Sequence, residues 1–75
     1  MNGRVAKIPI DPETNSRRGF GFIVGADGAR YFFHASAMQM TGRLFAEVRE
    51  GNEVTFTPID GPQGKGPRAI EVRVL

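Results

Sequence analysis

Residues 17–34, RRGFGFIVGADGARYFFH, contain the constraint that decides most about this chain. Two runs rich in Phe, Ile, Val and Tyr flank GADGAR (25–30), whose Asp27-Gly28 pair is typical of tight hairpin turns. Such short runs favour strands, and the short turn makes the two strands neighbours. Successive side chains of a strand leave on opposite faces. Phe20 and Phe22 therefore share one face, with Gly21 and Ile23 on the other; Phe32 and His34 likewise oppose Tyr31 and Phe33. Two solutions exist. Either Phe20, Phe22, Phe32 and His34 form an outer patch over a core of Ile23, Tyr31 and Phe33, or the faces are exchanged. A buried histidine needs partners for its ring nitrogens, whereas an exposed one beside aromatic rings costs little. A core-facing Gly21 suits a bent strand that another backbone approaches closely. Both arguments favour the outer patch, and six phenylalanines in 75 residues are many for one small core.

The length reads as one domain, residues 1–75. Five strands are expected: Gly3–Ile8, Gly19–Val24, Arg30–His34, Glu53–Pro58 and Arg68–Val74. In the last, alternation places Ile70, Val72 and Val74 on one face and Glu71 and Arg73 on the other. PIDPETNS (9–16) reads as a long loop and IDGPQGKGP (59–67) as a glycine-rich one carrying Lys65. Residues 35–52, with Leu44, Phe45 and Val48 at helix-like spacing, read as an irregular connection with short helical turns. The whole is an all-β chain, and five short strands with one long connection imply a small barrel, closed or partly open. An SH3-like barrel meets the same count.

Chemistry is narrowed by what the chain lacks. It has no cysteine and a single histidine, His34, so neither a disulfide nor a zinc site is expected. No constellation of acid, base and nucleophile is visible, and Ser36 reads as a turn or cap residue. No phosphate-binding glycine-lysine loop is present. The expectation is a non-enzyme with no cofactor, no metal and no small-molecule substrate. No apolar run approaches the roughly 20 residues of a spanning helix, and no leader opens the chain, so a soluble cytoplasmic protein without a membrane partner is expected.

The net charge of +2 is unevenly spread. Residues 1–45 hold six basic and three acidic residues, and residues 46–75 hold four basic and five acidic. An aromatic patch led by Arg17 and Arg18 suits flat bases with phosphates between them. Duplexes hide their base faces, so single strands are the expected partner. Glu47, Glu50 and Glu53 read as a solvated face; Glu50 and Glu53 would repel phosphate and are expected away from the site.

At this point the residues resemble the cold-shock domain family. RGFGFI (18–23) is similar to its first ribonucleoprotein motif, K-G-F-G-F-I, and YFFHAS (31–36) to its second, V-F-V-H-F. VREGNEVTF (48–56), GPRAIEVRVL (66–75) and the opening GRV (3–5) resemble its L-K-E-G-Q-x-V-x-F, G-P-Q-A-x-N-V and G-K-V. RNA-recognition-motif domains carry the two motifs in the opposite order and need two amphipathic helices, which do not fit here. The resemblance implies a five-stranded antiparallel OB-type barrel that binds single-stranded RNA and DNA without catalysis, as an RNA chaperone or a regulator of transcription or translation. It places Phe20, Phe22, Phe32 and His34 on stacking positions, Phe45 on a loop aromatic that closes over the strand, and Arg18 on the motif's lysine. Lys7, Arg17, Arg30, Lys65 and Arg68 complete the expected phosphate contacts. Three departures stand out: there is no tryptophan where the family has one and Lys7 sits about there, Ala35 replaces an aromatic, and Arg68 replaces a glutamine. The first loop is also longer. These changes imply weaker, more salt-dependent binding. A protein-interaction barrel that has lost nucleic-acid binding is the alternative. A monomer is expected, although a lysine-poor, glycine-rich edge would allow strand pairing or swapping.

Overall fold

In the computed structural model, residues 1–38, 45–61 and 66–75 are described. Strands β1 (Asn2–Lys7), β2 (Ile10–Asp11), β3 (Ser16–Arg17), β4 (Phe20–Gly25) and β5 (Arg30–His34) lead into two 3-10 turns, Ala35–Met38 and Phe45–Glu47. Strands β6 (Glu53–Asp60) and β7 (Pro67–Val74) complete the chain. Five strands close a barrel in the order β1-β4-β5-β7-β6, and β6 pairs back onto β1. The pairing is antiparallel except at the β5–β7 seam, which is parallel. This is the architecture of an OB-type barrel. Leu44 and Lys65 lie outside the described residues.

The β4–β5 hairpin forms as its sequence requires. Gly28 takes a positive φ of 83°, which a glycine adopts without steric cost. Asp27 ties the turn: its carboxylate accepts the Ala29 amide at 3.0 Å and the Tyr31 hydroxyl at 2.6 Å. The Tyr31 hydrogen bond, then the Ala29 amide, hold the Asp27 carboxyl below its ordinary value of 3.8. The same bond holds the Tyr31 hydroxyl above its ordinary 10.0. A depressed Asp27 stabilises the fold above pH 3.8, and that contribution disappears as pH falls through the folded-state value. The raised Tyr31 contributes fully below pH 10.0 and is lost as pH rises through its own folded-state value. Tyr31→Phe is thus expected to lower Tm at neutral pH. The gap between native and variant should narrow on acidification below pH 3.8 in a thermal melt series.

The barrel interior is built from Val5, Ile23, Tyr31, Phe33, Val54, Phe56 and Val72, with Met38 and Val48 closing it. Of the two faces open to β4 and β5, Gly21 and Ile23 with Tyr31 and Phe33 point in. Gly21 has no room for anything larger. A Cβ there would lie 2.8 Å from the Phe33 ring and 2.9 Å from the Lys7 carbonyl oxygen. Overpacking of this kind costs about 1–3 kcal/mol. Gly21→Ala should therefore lower Tm by roughly 4–8 °C per kcal/mol lost, read by calorimetry.

Three features depart from simple alternation. In β1 the register steps between Val5, opposite Ile23, and Lys7, opposite Phe22. This bulge at Ala6 turns Lys7 outward and lets Ile8 fold into the core, where strict alternation would have sent Lys7 inward. In β7 a second bulge lies between Ile70, opposite Thr57, and Arg73, opposite Thr55, with Glu71 at φ 52°. The core residues of β7 are consequently Ala69 and Val72, while Ile70 is only half-buried, which corrects the expected Ile70–Val72–Val74 face. Finally, residues 9–16 are not an irregular loop. β2 and β3 pair as a short ribbon turned by Pro12–Asn15, with Asn15 at φ 57°.

Candidate nucleic-acid interface

Period two and the hairpin register assemble the outer face. Phe22 stands directly opposite Phe32, and Phe20 opposite His34. The rings of Phe20, Phe22 and Phe32 touch one another, with centroids 5.4–5.9 Å apart. All three are half-buried on the outside of the barrel, so each keeps a ring face near solvent. A folded protein in water normally covers such a cluster; here β4 and β5 display it.

His34 is exposed, and its orientation is set locally. The Ser36 amide donates to Nδ1 at 3.1 Å, and the Ser36 hydroxyl lies 2.9 Å from the same nitrogen. An amide can only donate, so Nδ1 accepts and the neutral ring carries its proton on Nε2. Ser36 lies in the 3-10 turn Ala35–Met38, in line with its reading as a turn residue, and its place two residues after the histidine lets it also orient that ring.

Cations surround the rings. Lys7 is exposed beside Phe22 because of the β1 bulge. The Arg30 guanidinium lies 5.8 Å from the Phe22 centroid, and that of Arg68 5.5 Å from the Phe32 centroid. Arg18 is exposed and lines a groove with Lys7, Pro9, Ile10 and Phe20. Glu50 lines the same groove, its carboxylate accepting the Ile8 amide at 2.9 Å. The expectation that Glu50 stands away from the site is therefore corrected: a backbone donor in the bulged end of β1 draws it in. Glu53 does stand elsewhere, 3.4 Å from Arg4 on the β1–β6 seam.

Phe45 and Arg17 form a unit. The Arg17 guanidinium donates to the Phe45 carbonyl at 2.6 Å and lies 5.6 Å from its ring centroid. The ring in turn meets Phe33 at 6.0 Å, edge-on, and packs on the core. Phe45 therefore sits at the barrel's end, separate from the Phe20–Phe22–Phe32 cluster. Among the described residues, no group of three or more His, Cys, Asp and Glu side chains could hold a metal ion. Among them also, no helix is long and apolar enough to cross a membrane.

The family model of the 'Cold-shock' DNA-binding domain matches residues 13–75. The chain belongs to the cold-shock domain family. It is 41% identical over 72 residues to the cold shock-like protein CspC of Bacillus cereus, covering 96% of this chain and 95% of that one. It is 44% identical over 62 residues to the cold shock-like protein CspC of Escherichia coli K12, covering 81% and 84%. With cold shock protein 2 of Lactiplantibacillus plantarum it shares 45% identity over 60 residues, covering 79% and 83%. The family's description is that of a DNA-binding domain, not of an enzyme. Within this cold-shock domain the ring cluster lies on the two strands that carry the two ribonucleoprotein-like motifs. The usual tryptophan has no counterpart, and the β1 bulge brings a lysine to the rim of the cluster instead.

Proposed function

We propose that this protein binds single-stranded RNA and DNA by stacking bases on Phe20, Phe22 and Phe32, with His34 as a further platform and Phe45 closing one end. The observation that carries this reading is the contiguous three-ring cluster on the outside of the barrel, ringed by cations. Rings accept any base on their π-faces, so the binding tolerates sequence change. Exposed Lys7, Arg18 and Arg30 meet phosphates, and Arg17 holds the Phe45 segment. A protein that holds only the open strand shifts the pairing equilibrium by mass action, without ATP. It acts in the cytoplasm as an RNA chaperone or a regulator of transcription or translation.

Titration of a labelled oligopyrimidine at several salt concentrations tests the reading. Three phosphate contacts on a single strand give a slope of log K against log salt of roughly −2. Lys7→Ala is expected to make that slope shallower by about 0.7. A duplex of the same sequence should compete poorly. No saturable binding at low salt would assign the aromatic face to a protein-interaction module instead.

A further inference from the structure

The β7 bulge creates a feature that ring stacking does not use. In a regular strand Glu71, two residues after the buried Ala69, would point into the barrel. The positive φ of 52° at Glu71 instead leaves it exposed and sends Val72 inward. A glutamate is strained in this conformation, and bulges commonly re-aim a side chain. Glu71 thereby lines an outer cleft of about 310 Å³ together with Arg68, His34 and Ser36. Its carboxylate has no ion-pair or hydrogen-bond partner among the described residues.

Arg68 faces the same cleft in an unsatisfied state. It stands opposite Phe32 across the parallel β5–β7 seam, with its guanidinium over the Phe32 ring. Its Nε is buried and has no hydrogen-bond partner among the described residues. A buried donor without an acceptor is costly, so a ligand that supplies an acceptor to the Nε–Nη edge gains more than it would from a solvated arginine. Withdrawing Arg68 from Phe32 also uncovers that ring for stacking.

We infer that the cleft between β5 and β7 is a guanine-selecting subsite, read by Arg68 and Glu71. Resting on the single-strand binding reading above, this deepens it from tolerance of any base to selection at one position. Guanine offers two acceptors, O6 and N7, on one edge, which match the arginine fork. Its other edge offers the N1 and N2 donors, which match a carboxylate. Adenine presents a donor beside N7, where the arginine would need an acceptor. Thymine and uracil lack a pair of adjacent donors for Glu71, and cytosine lacks a second edge bearing two acceptors. The His34 ring supplies a wall, with Nδ1 already held by Ser36.

The test uses the full chain and a set of thymine heptanucleotides, each carrying one guanine at a different position. One position is expected to bind about 10-fold more tightly than the all-thymine strand, which corresponds to 1.4 kcal/mol. The readout for variants is the ratio of the two dissociation constants at that position. It should fall to about one in Arg68→Lys, which keeps the charge but loses the fork, and in Glu71→Asn, a residue that tolerates positive φ and so preserves the bulge. Saturable binding of all-thymine strand with a ratio near one at every position overturns the guanine subsite and leaves the stacking reading standing. A matching set with cytosine that outranks guanine overturns it too, as does a guanine preference that survives both substitutions. Failure to bind any strand removes the stacking reading and the subsite with it.

Discussion

Replacing Phe32 by alanine is expected to weaken binding of an oligopyrimidine single strand by roughly 5- to 150-fold, with Phe20→Ala in the same range. The figure follows from base–aromatic stacking, which contributes about 1–3 kcal/mol per base. Phe32 is the ring that meets both Phe20 and Phe22, at 5.4 and 5.9 Å, so its removal takes away one platform and loosens two others. The barrel interior is untouched, because Phe32 sits on the outer face of β5. Far-UV circular dichroism and Tm should therefore change little compared with the loss in affinity. Equal affinity of the native chain and both alanine variants would show that bases do not stack on this face.

The neighbouring substitution, Phe33→Ala, should have the opposite signature. Phe33 is fully buried, stands opposite Gly21 and packs edge-on against Phe45. Truncating a buried phenylalanine to alanine costs about 3–5 kcal/mol. At 0.05–0.15 kcal/mol per residue, the total stability of a chain this long is only about 4–11 kcal/mol. The variant should lose roughly 12–40 °C in Tm and be substantially unfolded at the low end of that stability range. Any single-strand affinity it retains at low temperature should approach the native value once corrected for the folded fraction. A Tm within a few degrees of native would mean that the β5 faces are exchanged. Two adjacent phenylalanines thus separate binding from folding.

The β4–β5 faces were readable because their physics is local. Strand alternation sorts the rings into two sets, the Asp27-Gly28 turn aligns the sets, and the cost of burying His34 chooses between them. Glycine at position 21 was legible for the same reason, as a place where ring and backbone crowd the strand. Position 36 was legible only in part: a serine near a histidine is common, and its hold on Nδ1 depends on the 3-10 turn Ala35–Met38 that brings its amide round.

Sequence by itself determined the all-β class, the barrel strands, the outward Phe20–Phe22–Phe32–His34 set and the resemblance that the family match bears out. Tertiary structure alone decided where the alternation breaks. The bulges at Ala6 and Glu71 are properties of a pair of strands, since each exists only relative to the partner's register. They turn Lys7 outward, exchange Ile70 for Ala69 in the core and expose Glu71 beside Arg68. Glu50 likewise reaches the Lys7–Arg18 groove through an amide 42 residues away in the chain. Closing five short strands into a barrel demands strong local bending, and bulges supply it. A single strand's sequence records its faces but not the register that closure imposes.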